Sequence, residues 1–435
     1  ARNVRIGVEA GLIRSIETGC SPGSDGLSGS IAIPGIPDIH SHAFQRGMAG
    51  LAEVRGSSED TFWTWREVMY RFALSMSPEQ MQVIASQAYI EMLESGFTRV
   101  GEFHYLHHDR DGSPYDDVAE LAERIAAAAD ETGIGLTLLP VFYAHSTFGG
   151  EAPAPGQRRF ITNLDSFAKL VDRCQDIVGG IDGAILGVAP HSLRAVTPDE
   201  LATVVQLAPQ GPIHMHIAEQ DREVTDCLAW SGQRPVSWLL DRFEVDARWC
   251  LIHATHLTAQ EAERLAKSGA VAGLCPITEA NLGDGIFPGS EFTAHGGRYG
   301  IGTDSNVLIS LPSELRQLEY AQRLARGQRN VLAVGPGSTG RALFDAALAG
   351  GSQSLGVHAT GIAIGARADF VTLNTEHPDA SHGDTMLDTW VFAGAATVKH
   401  VWVGGKQVVV NGRHLLRDST SSRYRSTIRE LIASN

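Results

Sequence analysis

Between residues 33 and 303 the chain alternates short β-branched apolar runs with amphipathic segments of helical length, and no other feature narrows the fold as much. Runs of this kind are buried together when parallel strands are joined by helices. Eight runs stand out: Ile33 to Ile39, Thr98 to His104, Gly135 to Tyr143, Ala184 to Pro190, Pro212 to Ile217, Trp249 to Ala254, Ala270 to Leu274 and Tyr299 to Thr303. Pro78 to Glu94, Asp116 to Glu131, Asp199 to Leu207 and Ala259 to Lys267 carry the helical period between them. Thr197-Pro198-Asp199-Glu200 and Thr258-Ala259-Gln260-Glu261 each read as an N-cap with an acidic first turn, and Gly96 and Gly269 read as stops. Eight such units predict an α/β chain, a (β/α)8 TIM barrel over residues 34–360, with its reactive groups at the C-terminal ends of the strands.

Outside the barrel, Val4 to Ile16, Asp369 to Leu373 and His400 to Val410 read as short strands, with a hairpin signal at Asn411-Gly412. Residues 1–33 and 361–415 are expected to form one small β-domain from both termini. Residues 416–435, with Ser421 to Ala433 as their core, are expected to be a helix packed outside it, and Gly327 to Gly340 a connection. A chain of 435 residues, 43% of them hydrophobic, has material for one large domain and a small one.

A net charge of −15 without a basic stripe argues against nucleic acid. The five cysteines lack any CxxC pair, so neither a disulfide framework nor a thiolate zinc site is expected. No apolar run of 18 residues is present, and the first residues lack the charged start and apolar stretch of an export signal. A cytoplasmic protein without membrane contact is the expectation.

The chemistry starts in Pro37-Asp38-Ile39-His40-Ser41-His42, where two histidines two apart at a strand end point to the same side of the pleat. Alone, the pair reads equally well as two satisfied histidines in a turn. Residues downstream shift the balance. His216 closes the fifth run, His253 stands near the end of the sixth, and Asp304 follows the eighth in Gly302-Thr303-Asp304-Ser305. His40, His42, His216 and Asp304 together offer three neutral nitrogens and one carboxylate to a divalent ion, with room for water. Glu219, three residues past His216, emerges at the same rim. His214 lies deeper in the strand and reads as a core histidine, while His104, His107 and His108 read equally as a solvated loop.

Pro34-Gly35 followed by Asp38-Ile39-His40-Ser41-His42 resembles the first-strand signature of the amidohydrolase superfamily, and the later His, His and Asp fall in that family's order. A fourth strand without a bridging lysine resembles its single-metal deaminase branch. A narrower resemblance, to formiminoglutamate deiminases, lies in His40-Ser41-His42-Ala43-Phe44-Gln45-Arg46, Thr61-Phe62-Trp63-Thr64-Trp65-Arg66, Glu102-Phe103-His104-Tyr105 and Glu279-Ala280-Asn281-Leu282-Gly283-Asp284-Gly285. Ile277 departs from the pattern, where Thr is expected.

The resemblance implies zinc on His40, His42, His216 and Asp304, with Glu219 and His253 as the acid–base pair. In that scheme Asp304 and His253 orient a water and accept its proton, and Glu219 delivers protons to the departing nitrogen. Gln45, Arg66, Tyr105, His191 and Arg194 become the substrate contacts. The implied reaction is hydrolytic deimination of N-formimino-L-glutamate to N-formyl-L-glutamate and ammonia, in histidine degradation, by a homodimer.

A small dicarboxylate amidine suits these residues, because each guanidinium fork can hold one carboxylate in bidentate fashion. Without the resemblance, Arg66 would read as an ordinary helix-surface charge beside Trp63 and Trp65. The alternative is a deaminase of a nucleobase or other cyclic amidine on the same scaffold, with an aromatic-lined pocket in place of Arg66 and Arg194. A catalytically dead scaffold would show a broken ligand set, and none of the four ligands is missing.

Overall fold

The computed structural model describes residues 3–21, 31–55, 60–375 and 383–434. Eight barrel strands run at Ile36–Ser41, Phe97–His104, Gly135–Phe142, Ile185–Leu186 with Ala189–Pro190, Ile213–Ile217, Trp249–His253, Val271–Leu274 and Arg298–Ile301. They pair in parallel as two sets, first to fourth and fifth to eighth. Isolated parallel bridges close the ring: Val188 to Ile213 and Ser192 to His216 join the fourth strand to the fifth, and Ser41 to Asp304 joins the first to the eighth. Every residue of the first three strands is buried, as expected for strands covered by side chains inside and helices outside.

Two of the expected strands are interrupted, each at a glycine. Ile33 to Ile39 is not one strand: Ile31–Pro34 pairs antiparallel with Phe370–Thr375 outside the barrel, and the barrel strand starts at Ile36. The switch occurs at Gly35, where a Cβ would collide with the Thr98 side chain. Ala184 to Pro190 is likewise two short pieces separated by Gly187 and Val188. A Cβ on Gly187 would lie 2.5 Å from the Pro212 carbonyl oxygen, so only glycine permits this approach of strands four and five.

The helix signals act as their chemistry dictates. The Thr197 hydroxyl accepts the Glu200 N–H at 3.3 Å while the Glu200 carboxylate accepts the Thr197 N–H at 2.7 Å, and Thr258 with Glu261 repeats the reciprocal cap. Gly96 and Gly269 end their helices in the left-handed region, at φ +105° and +83°.

Ile31–Pro34, Phe370–Thr375, Ala396–Val403, Lys406–Val410 and Arg413–His414 form one antiparallel sheet in that order, so strands from both ends of the chain share it. Asn411 and Gly412, both at positive φ, turn the hairpin between its last two strands. Arg5–Glu9 and Leu12–Glu17 make a separate hairpin. Residues 1–2, 22–30 and 376–382 of the expected β-domain, 56–59 of the barrel and 435 of the last helix lie outside the described residues.

Arg417–Ser434 is a helix lying against Pro78–Ser95, where the Ser421 hydroxyl donates to Gln87 Oε1 at 3.1 Å. Its Tyr424 hydroxyl donates to the Arg46 carbonyl at 3.0 Å, just past the two strand-end histidines. Among the described residues no helix is long and apolar enough to cross a membrane. All five cysteines are free.

Candidate active site

His40 and His42 end the first strand with their rings edge to face, 4.7 Å apart. His42 Nδ1 lies 3.0 Å from the Phe103 carbonyl oxygen, and His216 Nδ1 lies 3.0 Å from the His191 carbonyl oxygen. A carbonyl can only accept, so both rings carry a proton on Nδ1 and, when neutral, turn an Nε2 lone pair inward. Burial favours the neutral forms: it pulls His40 down to about 3, lowers His42, and takes His216 well below the usual imidazole value. Burial opposes charge on Asp304, yet its contacts with His40, His42 and His253 hold it below the usual carboxylate range.

His40 Nε2 is 3.1 Å from His216 Nε2, and Asp304 Oδ1 is 3.4 Å from His40 Nε2 and 3.2 Å from His42 Nε2. Donor atoms held at about 2.0–2.1 Å by a tetrahedral ion lie about 3.3–3.4 Å apart, so these spacings fit one divalent ion. Inward lone pairs and a carboxylate facing one another in a buried centre call for a cation. Cys275, beside His253 and Asp304, stays a thiol because burial pushes it well above its ordinary value.

His253 stands between carboxylates. Its Nδ1 is 3.3 Å from Glu279 Oε1, and its Nε2 is 3.7 Å from Glu219 Oε1 and 3.8 Å from Asp304 Oδ2. Burial works against its charge, but Glu219, Glu279 and Asp304 outweigh burial and raise it to about 10. Burial raises Glu219 to about 7, the range in which a carboxyl group can both take and give a proton near neutrality. Ala218, His253, Ala254 and Asp304 all sit at φ between +46° and +66°. Such backbone costs of order 1–3 kcal/mol per residue and persists where the surroundings over-determine it.

Gln45, Arg66, Tyr105, His191 and Arg194 all line one cleft, onto which His42, His216, Glu219, His253 and Asp304 also open; His40, fully buried, is not among its lining residues. Gln45 Nε2 donates to the Tyr105 hydroxyl at 2.8 Å, leaving Gln45 Oε1 buried without a partner. Arg194 is buried 3.9 Å from Glu223, whose carboxylate also accepts the Ala218 N–H at 3.0 Å.

Arg66 is not a free surface charge: from the helix Phe62–Ser75 it forms part of the cleft wall, half-buried, with its guanidinium 4.4 Å over the Trp63 ring. His214, fully buried, pairs with the Ser354 carbonyl at 2.7 Å. His107 and His108 pair with the Val141 and Ile161 carbonyls at 2.8 and 2.7 Å, away from the cleft.

Nothing in the sequence marks Glu279 or Glu223 for a role at the site. Glu279 opens the stretch Glu279-Ala280-Asn281-Leu282-Gly283-Asp284-Gly285, and on sequence it looks like an ordinary first-turn acid of the helix Pro276–Leu282. Glu223 likewise looks like the first-turn acid of Asp221–Ser231, although it caps the Ala218 N–H and faces Arg194.

The amidohydrolase family model matches residues 31–408 of the chain. The chain is 50% identical over 439 aligned positions to a formimidoylglutamate deiminase of Pseudomonas aeruginosa, covering 99% of this chain and 96% of that one. It superposes on the crystal structure of an amidohydrolase from Brucella melitensis with a TM-score of 0.97 and 59% identity, over 99% and 96% of the two chains. The crystal structure of an adenosine deaminase from Xanthomonas campestris with bound zinc shares the fold, at a TM-score of 0.79 and 21% identity over 99% and 94% of the two chains.

Proposed function

The chain belongs to the amidohydrolase family, and from that membership we propose that it hydrolyses N-formimino-L-glutamate to N-formyl-L-glutamate and ammonia, in histidine degradation. One observation carries the substrate: Arg66 and Arg194 line the same cleft as Glu219 and the histidine–aspartate centre. Two guanidiniums beside one reactive end suit a small dicarboxylate with an amidine head. The name of the Pseudomonas relative supports the same reaction.

We assign His40, His42, His216 and Asp304 to one divalent ion, zinc in this reading, because three imidazoles and a carboxylate at tetrahedral spacing suit it. The zinc in the Xanthomonas structure supports the choice. When bound, such an ion supplies Lewis acidity, which lowers the pKa of water from about 15.7 to about 7.

The chain's own residues account for the rest. Arg66 and Arg194 each hold a carboxylate, while Gln45, Tyr105 and His191 offer neutral hydrogen-bonding groups to the remainder of the substrate. Glu219 takes a proton from the attacking water and gives it to the imine nitrogen, then carries the proton left on that oxygen to the same nitrogen, so that the C–N bond breaks with ammonia rather than NH₂⁻ leaving and the oxygen becomes the formyl carbonyl. His253 has a carboxylate at both ring nitrogens, so it donates and stabilises charge developing on the attacking oxygen. In this reading Asp304 and His253 orient the attacking water, and its protons pass through Glu219.

Proton NMR of the products tests the reaction. One ammonia and one N-formyl-L-glutamate per turnover support it; formamide and glutamate would mean that the other C–N bond is cut and would overturn it. A cytoplasmic homodimer accompanies the proposal, and sedimentation equilibrium at twice the chain mass checks the dimer. The cleft also has aromatic walls, Phe62, Trp65, Tyr70, Tyr143 and Phe160 among them. These favour, as the second reading, a nucleobase or other cyclic-amidine deaminase, which would leave the two guanidiniums without partners.

A further inference from the structure

Among the described residues the first and eighth barrel strands meet without a ladder, and the isolated Ser41 to Asp304 bridge is what pairs them. The backbone contributes two hydrogen bonds at this seam, Asp304 N–H to the His40 carbonyl at 2.8 Å and His42 N–H to the Asp304 carbonyl at 3.0 Å. Buried side chains supply the rest. Asp38 Oδ1 accepts the His40 N–H at 3.3 Å and the Thr303 N–H at 3.1 Å. The Thr303 hydroxyl lies 2.7 Å from Asp38 Oδ2 and 2.7 Å from Asn306 Oδ1. Asn306 Nδ2 reaches the Ser41 hydroxyl at 3.1 Å, the His42 carbonyl at 3.2 Å and the Asp304 carbonyl at 3.1 Å.

Asp38, Thr303 and Asn306 are at most 1% exposed and none lines the cleft, so none can touch the substrate. Their bonds run to the backbone of His40, His42 and Asp304 and to the residues between and beside them. Asp304 and Asn306 both sit at positive φ, +46° and +56°, a conformation that Asn and Asp tolerate better than other side chains and that neighbouring bonds must hold.

We propose that Asp38, Thr303 and Asn306 are positioning residues for the metal centre: they pin the His40–His42 strand end against Asp304 and thereby set how tightly the centre holds its ion. The inference rests on the ligand assignment made above. Groups that orient metal ligands from behind shift metal affinity by about 10–100-fold. Here the orientation acts through the backbone, because slippage at the seam would widen the 3.2 Å gap between His42 Nε2 and Asp304 Oδ1.

The test is zinc affinity, measured on the full-length apoprotein by competition with a fluorescent chelator, for the wild type, Asn306→Ala, Thr303→Val and Thr303→Ser. Thermal melting of the apo forms and the visible spectrum of the cobalt-loaded forms accompany it. Asn306→Ala and Thr303→Val are expected to bind zinc about 10–100-fold more weakly with altered cobalt bands. Thr303→Ser keeps the hydroxyl and is expected to match the wild type. If Asn306→Ala does not fold, the Thr303 pair decides. Wild-type affinity and cobalt spectra in the valine variant, or serine as weak as valine, would overturn the proposal. A wild-type chain that binds no divalent ion would instead overturn the ligand assignment.

Discussion

Replacing Arg194 or Arg66 with Gln should separate the two carboxylates of the substrate. A hydrogen bond to a charged group contributes about 1.5–3 kcal/mol net, which at about 1.36 kcal/mol per decade is roughly 10- to 150-fold in kcat/KM. The structure places the two arginines at opposite ends of that range. The Arg194 side chain is 8% exposed and faces Glu223 at 1%, so its removal also leaves a buried carboxylate beside the substrate's own. Arg194→Gln is therefore expected to lose about 100-fold. Arg66 is half-buried over Trp63 with solvent on one side, so Arg66→Gln is expected to lose about 10-fold.

The assay compares N-formimino-L-glutamate with N-formimino-L-glutamine, whose side-chain amide removes one charge. The arginine that holds the side-chain carboxylate should matter for the first substrate and hardly for the second, while the other should matter equally for both. The losses should appear mainly in KM, as expected for interactions present in ground and transition states alike. Equal losses on both substrates in both variants would refute the reasoning, because neither guanidinium would then be sensing the second carboxylate.

Glu219→Gln should retain stoichiometric metal while kcat falls by about 10² or more; metal content and steady-state rates check this, and loss of metal would make Glu219 a ligand. Dialysis against a chelator should abolish ammonia release and added zinc restore it, whereas activity surviving in demonstrably metal-free protein would remove the ion from the mechanism. Gly35→Ala should destabilise the chain by about 1–3 kcal/mol, read as a lowered melting temperature, because its Cβ meets the stiff β-branched Thr98; Thr98→Ala in the same chain should recover part of the loss.

The barrel was legible because short, mostly apolar runs recur between helical segments that carry their own start and stop chemistry, at Thr197, Thr258, Gly96 and Gly269. The edges of elements were less legible. Nothing in the local pattern of Ile33 to Ile39 reveals that Gly35 passes the chain from one sheet to another, since that depends on Thr98 packing against it. The histidines of the buried centre were visible because His40 and His42 sit two apart and His216 stands near the end of a strand. Arg66 needed the family pattern, because a helix charge beside two tryptophans has no sequence mark of facing inward.

Asp38, Thr303 and Asn306 had no readable signal as a network. They meet across 265 positions of sequence, and only closure of the barrel brings them together. Glu279 was hidden for the same reason: its partner, His253, is 26 residues away at the end of the sixth strand, while Glu279 follows the seventh.

The most direct measurement of the central claim is ammonia release by the zinc-loaded protein from N-formimino-L-glutamate, beside N-formimino-glycine, guanine and adenosine at equal concentration. The account predicts clear preference for N-formimino-L-glutamate, with N-formimino-glycine well behind because it lacks the second carboxylate. Release from guanine or adenosine in preference would contradict the substrate and favour the cyclic-amidine reading, and silence on every substrate would contradict the enzyme itself.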